Sequence, residues 1–283
     1  IIALSPGQAD GIRKVLTPAD SVVRKDSIGE RTADSVERTA DSVERTADSK
    51  KLNAKRCTLN AKKTEEKPIT VIPNSCDIDL FRPDIDGSAI RQKRGWGDKL
   101  VLLHTGAMGK VNGLDFVIEA AERLKEHSDI MFVLIGDGNQ KPSLENRVKK
   151  LALTNVEILS SVPKRELPEF YAAANMGLVI IGNFPIIEHN SANKFFDSLS
   201  AGKPVLLNYS GWQREILEEN AAGFGCDLCN LDQFVEKVLH LNSHRKQIEQ
   251  MGQNARRVAV EKFNRDQLAK QALELTSSVI RYG

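Results

Sequence analysis

Cysteine, aromatic residues and net charge are all scarce in this chain. Of 283 residues, four are cysteine, two tryptophan and three tyrosine. Four cysteines cannot build a disulfide framework in a chain of this length, so reduced thiols in a cytoplasmic setting are expected. Cys226 and Cys229 form a C-x-x-C. A second ligand pair with metal spacing is missing, and Cys57 and Cys76 lie far off, so zinc or redox work is the lesser reading. Forty basic residues against 38 acidic leave a net charge of +2. No basic run is interleaved with aromatics, so nucleic acid is not an expected partner. Apolar runs such as Leu178–Ile181 are far too short to cross a bilayer. No signal-peptide pattern is present; the chain begins at Ile1 rather than Met, which leaves a preceding segment open. Hydrophobic content of 41% and charged content of 28% are ordinary for a soluble protein of one large or two small domains.

What is present from Leu100 onward is a regular alternation. Leu100–His104 precedes a helical pattern over Leu114–His127, and Ile130–Ile135 precedes Pro142–Leu151. Val156–Leu159 leads to Lys164–Ala173, and Leu178–Ile181 to a helix around Asp197. Val205–Leu207 leads to Trp212–Glu219, and Gly223–Cys226 to three C-terminal helical segments. Short apolar runs alternating with longer helices predict βαβ crossovers, hence a doubly wound, Rossmann-like α/β domain with a parallel sheet. Ligands of such sheets bind beyond the carboxyl ends of the strands, near the switch in strand order. That rule places Gly106–Gly113, Gly136–Lys141, Ser160–Lys164, Gly182–Lys194 and Asn208–Trp212 on one rim. Gly106, Gly109, Lys110, Gly136, Gly138, Ser161 and Val162 are the expected nucleotide contacts of the first three loops.

The run IIEHNSANKFFDSLSAGKPV, Ile186 to Val205, is the most informative segment. A polar loop opens a helix that carries Asp197, and glycine then proline end it. Unpaired N–H groups at a helix start suit a diphosphate. A carboxylate one turn in can accept two hydrogen bonds from a ribose diol. An ordinary loop–helix–strand unit with a solvated Asp is the alternative.

Five blocks recur in a familiar order: VIPNSCDIDLF (Val71–Phe81), LLHTGAMGKVNGLDFVIEAA (Leu102–Ala121), FVLIGDG (Phe132–Gly138), ELPEFYAAANMGLVI (Glu166–Ile180) and NKFFDSLSAGKPVLLNYSGW (Asn193–Trp212). Together they resemble the C-terminal, donor-binding domain of retaining family-4 glycosyltransferases of the GT-B fold. Within that family they look most like bacterial surface-polysaccharide enzymes, including the N-acetylfucosaminyl transferases of O-antigen assembly. The resemblance runs from about Ile69 to the C-terminus.

It implies a nucleotide-diphosphate sugar, most often uridine-linked, as donor substrate, with no metal or other cofactor. The family usually has a Glu-x7-Glu pattern. Its second position falls on Asp197, a shorter carboxylate, and its first on His189 with Glu188 beside it. Asn190, Ser191, Asn193 and Lys194 supply, by the same resemblance, backbone donors and an ammonium to the phosphates. Where many members hold the phosphates with Arg and Lys this chain has Ala107 and Asn112, and Lys110 is the expected substitute, a solvated loop lysine being the alternative. Negative charge grows on the departing diphosphate, so Lys194 and aimed N–H groups are expected to stabilise it. No Asp-x-Asp metal motif stands in a suitable loop. No nucleophile is identifiable; His189 or Glu188 could contact the transferring sugar or play a structural part.

The front of the chain differs. Ile1–Lys14 resembles the last strand and helix of the family's N-terminal acceptor domain, a remnant over residues 1–16. From Ala19 a seven-residue period appears, with ADSVERT at Ala33–Thr39 and again at Ala40–Thr46. Its Ala/Val seam invites a coiled coil, but Ser, Asp and Gly29 oppose it, and a solvated insert, disordered or marginally helical, is favoured over residues 17–67. Residues 68–283 form the expected nucleotide-sugar domain, with Arg265–Arg281 as a final helix that in the family crosses toward the acceptor domain. Three classes stay open: the donor half of a glycosyltransferase in surface-polysaccharide or lipopolysaccharide synthesis, a non-catalytic nucleotide-sugar-binding remnant and, ranked last, a sugar-nucleotide epimerase. For the enzyme, the acceptor is a glycan or lipid-linked glycan held mainly by a missing N-terminal domain. The expected location is the cytoplasm, with peripheral association at the inner face of the plasma membrane left open.

Overall fold

Six strands form the centre: β3 (Leu100–Thr105), β4 (Ile130–Ile135), β5 (Val156–Leu159), β6 (Met176–Val179), β7 (Val205–Leu207) and β8 (Gly223–Gly225). They are all parallel, in the order β5-β4-β3-β6-β7-β8. The computed structural model describes residues 2, 3, 9, 69–184 and 189–281. Ahead of the sheet, β1 (Ile2–Ala3) pairs in parallel with β2 (Thr70–Val71). The heptad insert expected over 17–67 and most of the remnant expected over 1–16 lie outside the described residues, as does Glu188.

Nine helices accompany the strands among the described residues: α1 (Ser88–Arg94), α2 (Asp115–Arg123), α3 (Lys141–Lys150), α4 (Leu167–Ala173), α5 (Asn193–Ser200), α6 (Trp212–Glu219), α7 (Leu231–Ser243), α8 (Arg245–Lys262) and α9 (Arg265–Arg281). The strands are apolar on both faces because helices cover both. Leu100, Leu102, Leu178, Ile180 and Leu206 pack with Val117, Ile118 of α2 and Phe234, Val238 of α7 on one face. On the other, Val101, Leu103 and Val133 meet Phe170 and Tyr171 of α4, while Val179, Val205 and Leu207 meet Phe195, Phe196 and Leu199 of α5. Helix α8 joins the two sides, with Ile248 and Met251 in the first cluster and Ala255 and Val258 in the second. Val101, Leu102, Val133, Leu134, Val179, Ile180, Val205 and Leu206, all within or beside the apolar runs read as strands, are at most 1% exposed.

Several boundaries shift from the sequence expectation, and three of the shifts have a readable local reason. Strand β6 begins at Met176, two residues early, because Gly177 lets α5 sit directly on the sheet; a Cβ there would lie 2.1 Å from Ser198 Oγ. A glycine inside a strand is a poor local signal. At its other end the ladder stops at Val179, and Asn208 continues it with a side chain, accepting from Ile181 N at 2.9 Å and donating to Ile181 O at 2.8 Å. The helix expected from Lys164 opens as a 3-10 turn, Lys164–Glu166, and becomes α4 at Leu167, with Pro168 in the first turn where its missing N–H costs nothing. Helix α1, which carries no fully buried residue and so no strong apolar stripe, has no counterpart in the sequence reading.

Candidate functional site

The strand order reverses between β3 and β6, since β3 leads leftward to β4 and β5 while β6 leads rightward to β7 and β8. Loops leaving two such neighbours diverge and open a crevice above the sheet. Gly106 follows β3 directly, and its N–H donates to Ile135 O at 2.9 Å. The loop after β4 lies flat against it: a Cβ on Gly136 would sit 1.8 Å from Gly106 O, and one on Gly138 2.6 Å from Met108 O. Only glycine allows this backbone-to-backbone approach. Gly109 has open space beside it, and the exposed Lys110 starts a short 3-10 turn, Lys110–Asn112.

Helix α5 faces these loops from the β6 side. Lys194, in its first turn, donates to Asn112 Oδ1 at 3.1 Å. Its Cε would stand 3.5 Å from a Cβ on Gly106, so the ammonium lies over the mouth of the crevice. Burial pushes the Lys194 pKa down to about 8. Asp197 follows three residues later, on the same helical face, and is 8% exposed. Burial raises its pKa to about 6, with Lys164 opposing and Asp77 adding to the rise. Beside it, Tyr171 and Thr105 share a 2.7 Å hydrogen bond between hydroxyls. Near Lys194, His104 of β3 is fully buried, and among the described residues its ring nitrogens have no partner at ordinary hydrogen-bond geometry, the Leu178 backbone giving a weak contact. Desolvation first, then the Lys194 charge, hold its pKa well below the usual range, so its ring is neutral.

The loop before α5 is strapped from three sides. Asn74 donates through Nδ2 to Ser191 O at 2.6 Å and to Asn193 Oδ1 at 3.0 Å, while its N–H donates to Ser191 Oγ. Asn190 accepts from Ala192 N through Oδ1, and its carbonyl accepts from Trp212 Nε1 at 3.0 Å. His189 sits exposed in a short turn just ahead.

The third rim loop is organised by a carboxylate. Asp137 accepts from the Ser161 amide at 2.9 Å and hydroxyl at 2.5 Å, and from Lys141 Nζ at 3.0 Å. These bonds, the Ser161 hydroxyl first, pull the Asp137 pKa down to about 2. Ser161 thus spends its own donors inside the protein, and the half-buried Val162 packs on the core below. Asn74, Asn112, Asp137, Lys164 and Asn208 do work in this region that no spacing in the sequence signals, because each acts on a partner distant in the chain.

Of the C-x-x-C pair, Cys226 is buried, its thiol pushed up to about 12 by desolvation, while Cys229 is exposed. Among the described residues no three His, Cys, Asp or Glu side chains gather as a metal site, and no helix is long and apolar enough to cross a membrane.

Sheet order, glycine loops and a helix start over the switch point define a Rossmann-like α/β domain. Residues 86–258 match the family described as Glycosyl transferases group 1, and the chain belongs to it. It is 25% identical over 197 residues to spore coat protein SA of Bacillus subtilis, covering 66% of this chain and 51% of that one. It is 30% identical over 115 residues to the putative colanic acid biosynthesis glycosyl transferase WcaI of Escherichia coli, covering 40% and 28%. Among solved structures, Anabaena Alr3699/HepE in complex with UDP-glucose superposes with a TM-score of 0.66 at 22% identity, over 74% of this chain and 57% of that one. At that identity the likeness speaks for the fold. The chain spans about half the length of the curated relatives it matches over most of its own length.

Proposed function

We propose that this chain is the donor-binding part of a retaining glycosyltransferase that takes a nucleotide-diphosphate sugar, most simply a UDP-sugar. One observation carries the reading: α5 presents Lys194 and Asp197 on one face, with Lys194 over Gly106 at the switch point. In this reading Asp197 accepts hydrogen bonds from the ribose hydroxyls. Lys194, Lys110 and the amides of Asn190–Asn193 face the diphosphate, with Gly106, Gly109, Gly136 and Gly138 giving it room. Ser161 and Val162 border the base. His189 and Glu188 flank the transferring sugar.

As the glycosidic bond breaks, its electron pair goes to the diphosphate oxygen, and a preorganised ammonium with N–H donors stabilises that charge. No resident metal is part of the reading. Asp197 must be ionised to accept two hydroxyl donors, and Lys194 protonated to meet phosphate.

Support for the donor class comes from family membership and from the UDP-glucose complex of HepE. The colanic acid relative supports a place in surface-polysaccharide synthesis. In this reading a glycan or lipid-linked acceptor is held mainly by a further domain. The sequence blocks resemble the N-acetylfucosaminyl transferases among surface-polysaccharide enzymes, and that likeness carries the family rather than the sugar. Isothermal titration of the full chain with UDP and UDP-N-acetylglucosamine tests the reading: saturable binding of both is expected, and no binding of either refutes it. Turnover by this chain alone is not expected.

A further inference from the structure

The far end of α5 borders a second, differently built cavity. It has a volume of about 590 Å³, and its wall includes Gly202, Lys203 and Pro204, the residues just past the helix. Asn175 and Pro204 in that wall immediately precede β6 and β7, so the cavity opens at the sheet edge opposite the crevice.

Its surroundings are cationic. Lys203, Arg245 and Arg256 line it, and Arg91 donates to Asn175 Oδ1 at 2.8 Å from the side. None of the four belongs to an ion pair among the described residues; their bonds go mainly to neutral carbonyls. Lys203 donates to Ala172 O at 3.1 Å, Arg245 to Asn242 O at 3.0 Å and Arg256 to Ser200 O at 2.7 Å. The wall's single acid is Glu249, which is exposed. The cations sense one another: burial and then Arg91 lower the Lys203 pKa to about 8, and burial and then Arg245 lower that of Arg91.

Capping of carbonyls at the ends of α4, α5 and α7 accounts for these bonds, and Arg256 also reaches Phe81 O and Ile78 O at 3.1 Å and Arg91 the Gly97 and Lys99 carbonyls. Capping does not explain why four cations gather around one open cavity whose wall holds a single exposed carboxylate, Asp98 and Asp129 acting on Arg91 and Arg245 from outside that wall. Such an arrangement raises the concentration of anions locally. Lys203 also uses one of three donors, which leaves two for a ligand. The volume falls in the range of small-molecule sites, roughly 300–1,000 Å³.

We infer that this cavity binds a small, multiply charged oxyanion, a phosphorylated or polycarboxylic metabolite, at a site separate from the nucleotide crevice. Titration of the full chain with inorganic pyrophosphate and with citrate, at low and at physiological salt, tests it. Saturable binding that weakens with salt is expected, tighter for pyrophosphate if the ligand is phosphorylated and for citrate if it is polycarboxylic. Arg245→Gln should weaken it and Glu249→Gln tighten it, each by roughly two- to fivefold, the scale of one partly exposed charge. Saturation with UDP, which fills the crevice, should leave it unchanged. Glu249 is exposed on α8, so its variant reports even if Arg245→Gln fails to fold. Absence of binding, indifference to Glu249→Gln, or loss of binding under saturating UDP, which would place the anion in the crevice, overturns the inference.

Discussion

Lys194 Nζ lies 3.1 Å from Asn112 Oδ1, and this contact spans the crevice between the loop after β3 and the start of α5. An amide oxygen holds the ammonium without neutralising it. The charge therefore remains available to an incoming anion, where a carboxylate partner would have cancelled it. Lys194→Ala should weaken UDP binding by about tenfold or more, from roughly 1.5–3 kcal/mol per charged hydrogen bond. The loss should shrink as salt is raised, since screening reduces the wild-type advantage. Equal affinities of wild type and variant in low-salt calorimetry would remove Lys194 from the site.

Asp197 is expected to trade stability for binding. Its pKa is raised to about 6 in the folded protein, against an ordinary value near 4. A raised carboxyl pKa means the native state holds the proton more tightly, so stability falls as pH climbs from about 4 through 6 and stays lower above. Asp197→Asn should therefore raise stability at pH 7 by about 1–3 kcal/mol while weakening UDP binding at least tenfold. Denaturant unfolding and calorimetry read the two effects. A variant that is no more stable would contradict the burial that raises this pKa.

UDP affinity should follow a bell in pH. Binding requires ionised Asp197, with a pKa of about 6, and protonated Lys194, with a pKa of about 8. Affinity should rise as pH climbs through 6, level near 7 and fall above 8 beyond what the phosphate's own titration explains. The acid limb should vanish in Asp197→Asn and the alkaline limb in Lys194→Ala. Limbs that persist in both variants would assign them to other groups.

Gly136→Ala should be among the most damaging small changes in the domain. Its Cβ would fall 1.8 Å from Gly106 O, a backbone atom that cannot swing aside. Forced separation of the two loops should cost about 1–3 kcal/mol or more. Loss of soluble protein, or a fall of several degrees in Tm with weakened UDP binding, is expected; an unchanged Tm would show that the loops are not in contact.

Asn74→Ala should act on the site from outside it. It removes donors to Ser191 O and Asn193 Oδ1 and frees the loop ahead of α5. Stability should fall by about 1–2 kcal/mol, and UDP affinity several-fold, with slower amide exchange lost at Ser191–Lys194. Unaltered exchange there would mean the loop is held by Trp212 and Asn190 alone.

Much of this was readable along the chain, because local signals carried it. The runs Leu100–Leu103, Ile130–Ile135 and Val205–Leu207 are apolar at every position, as strands buried on both faces must be, and they stand in β3, β4 and β7. The stop at Gly202 and Pro204 fixed the end of α5. Legibility failed where a long-range contact replaced a local rule. Gly177 entered β6 because α5 presses on it, and Asn208 extended the ladder with its own amide.

Sequence by itself determined the layered order of strands and helices, since hydrophobic period and helix punctuation depend only on near neighbours. It also put Lys194 and Asp197 three residues apart, which any helix turns into a shared face. Tertiary structure alone decided that Asn112 meets Lys194 across 82 residues, and that Asn74 pins a loop 117 residues on. It alone decided the protonation balance of the site, because burial, which sets the pKa values of Asp197 and Lys194, belongs to the packed domain and to no segment of it.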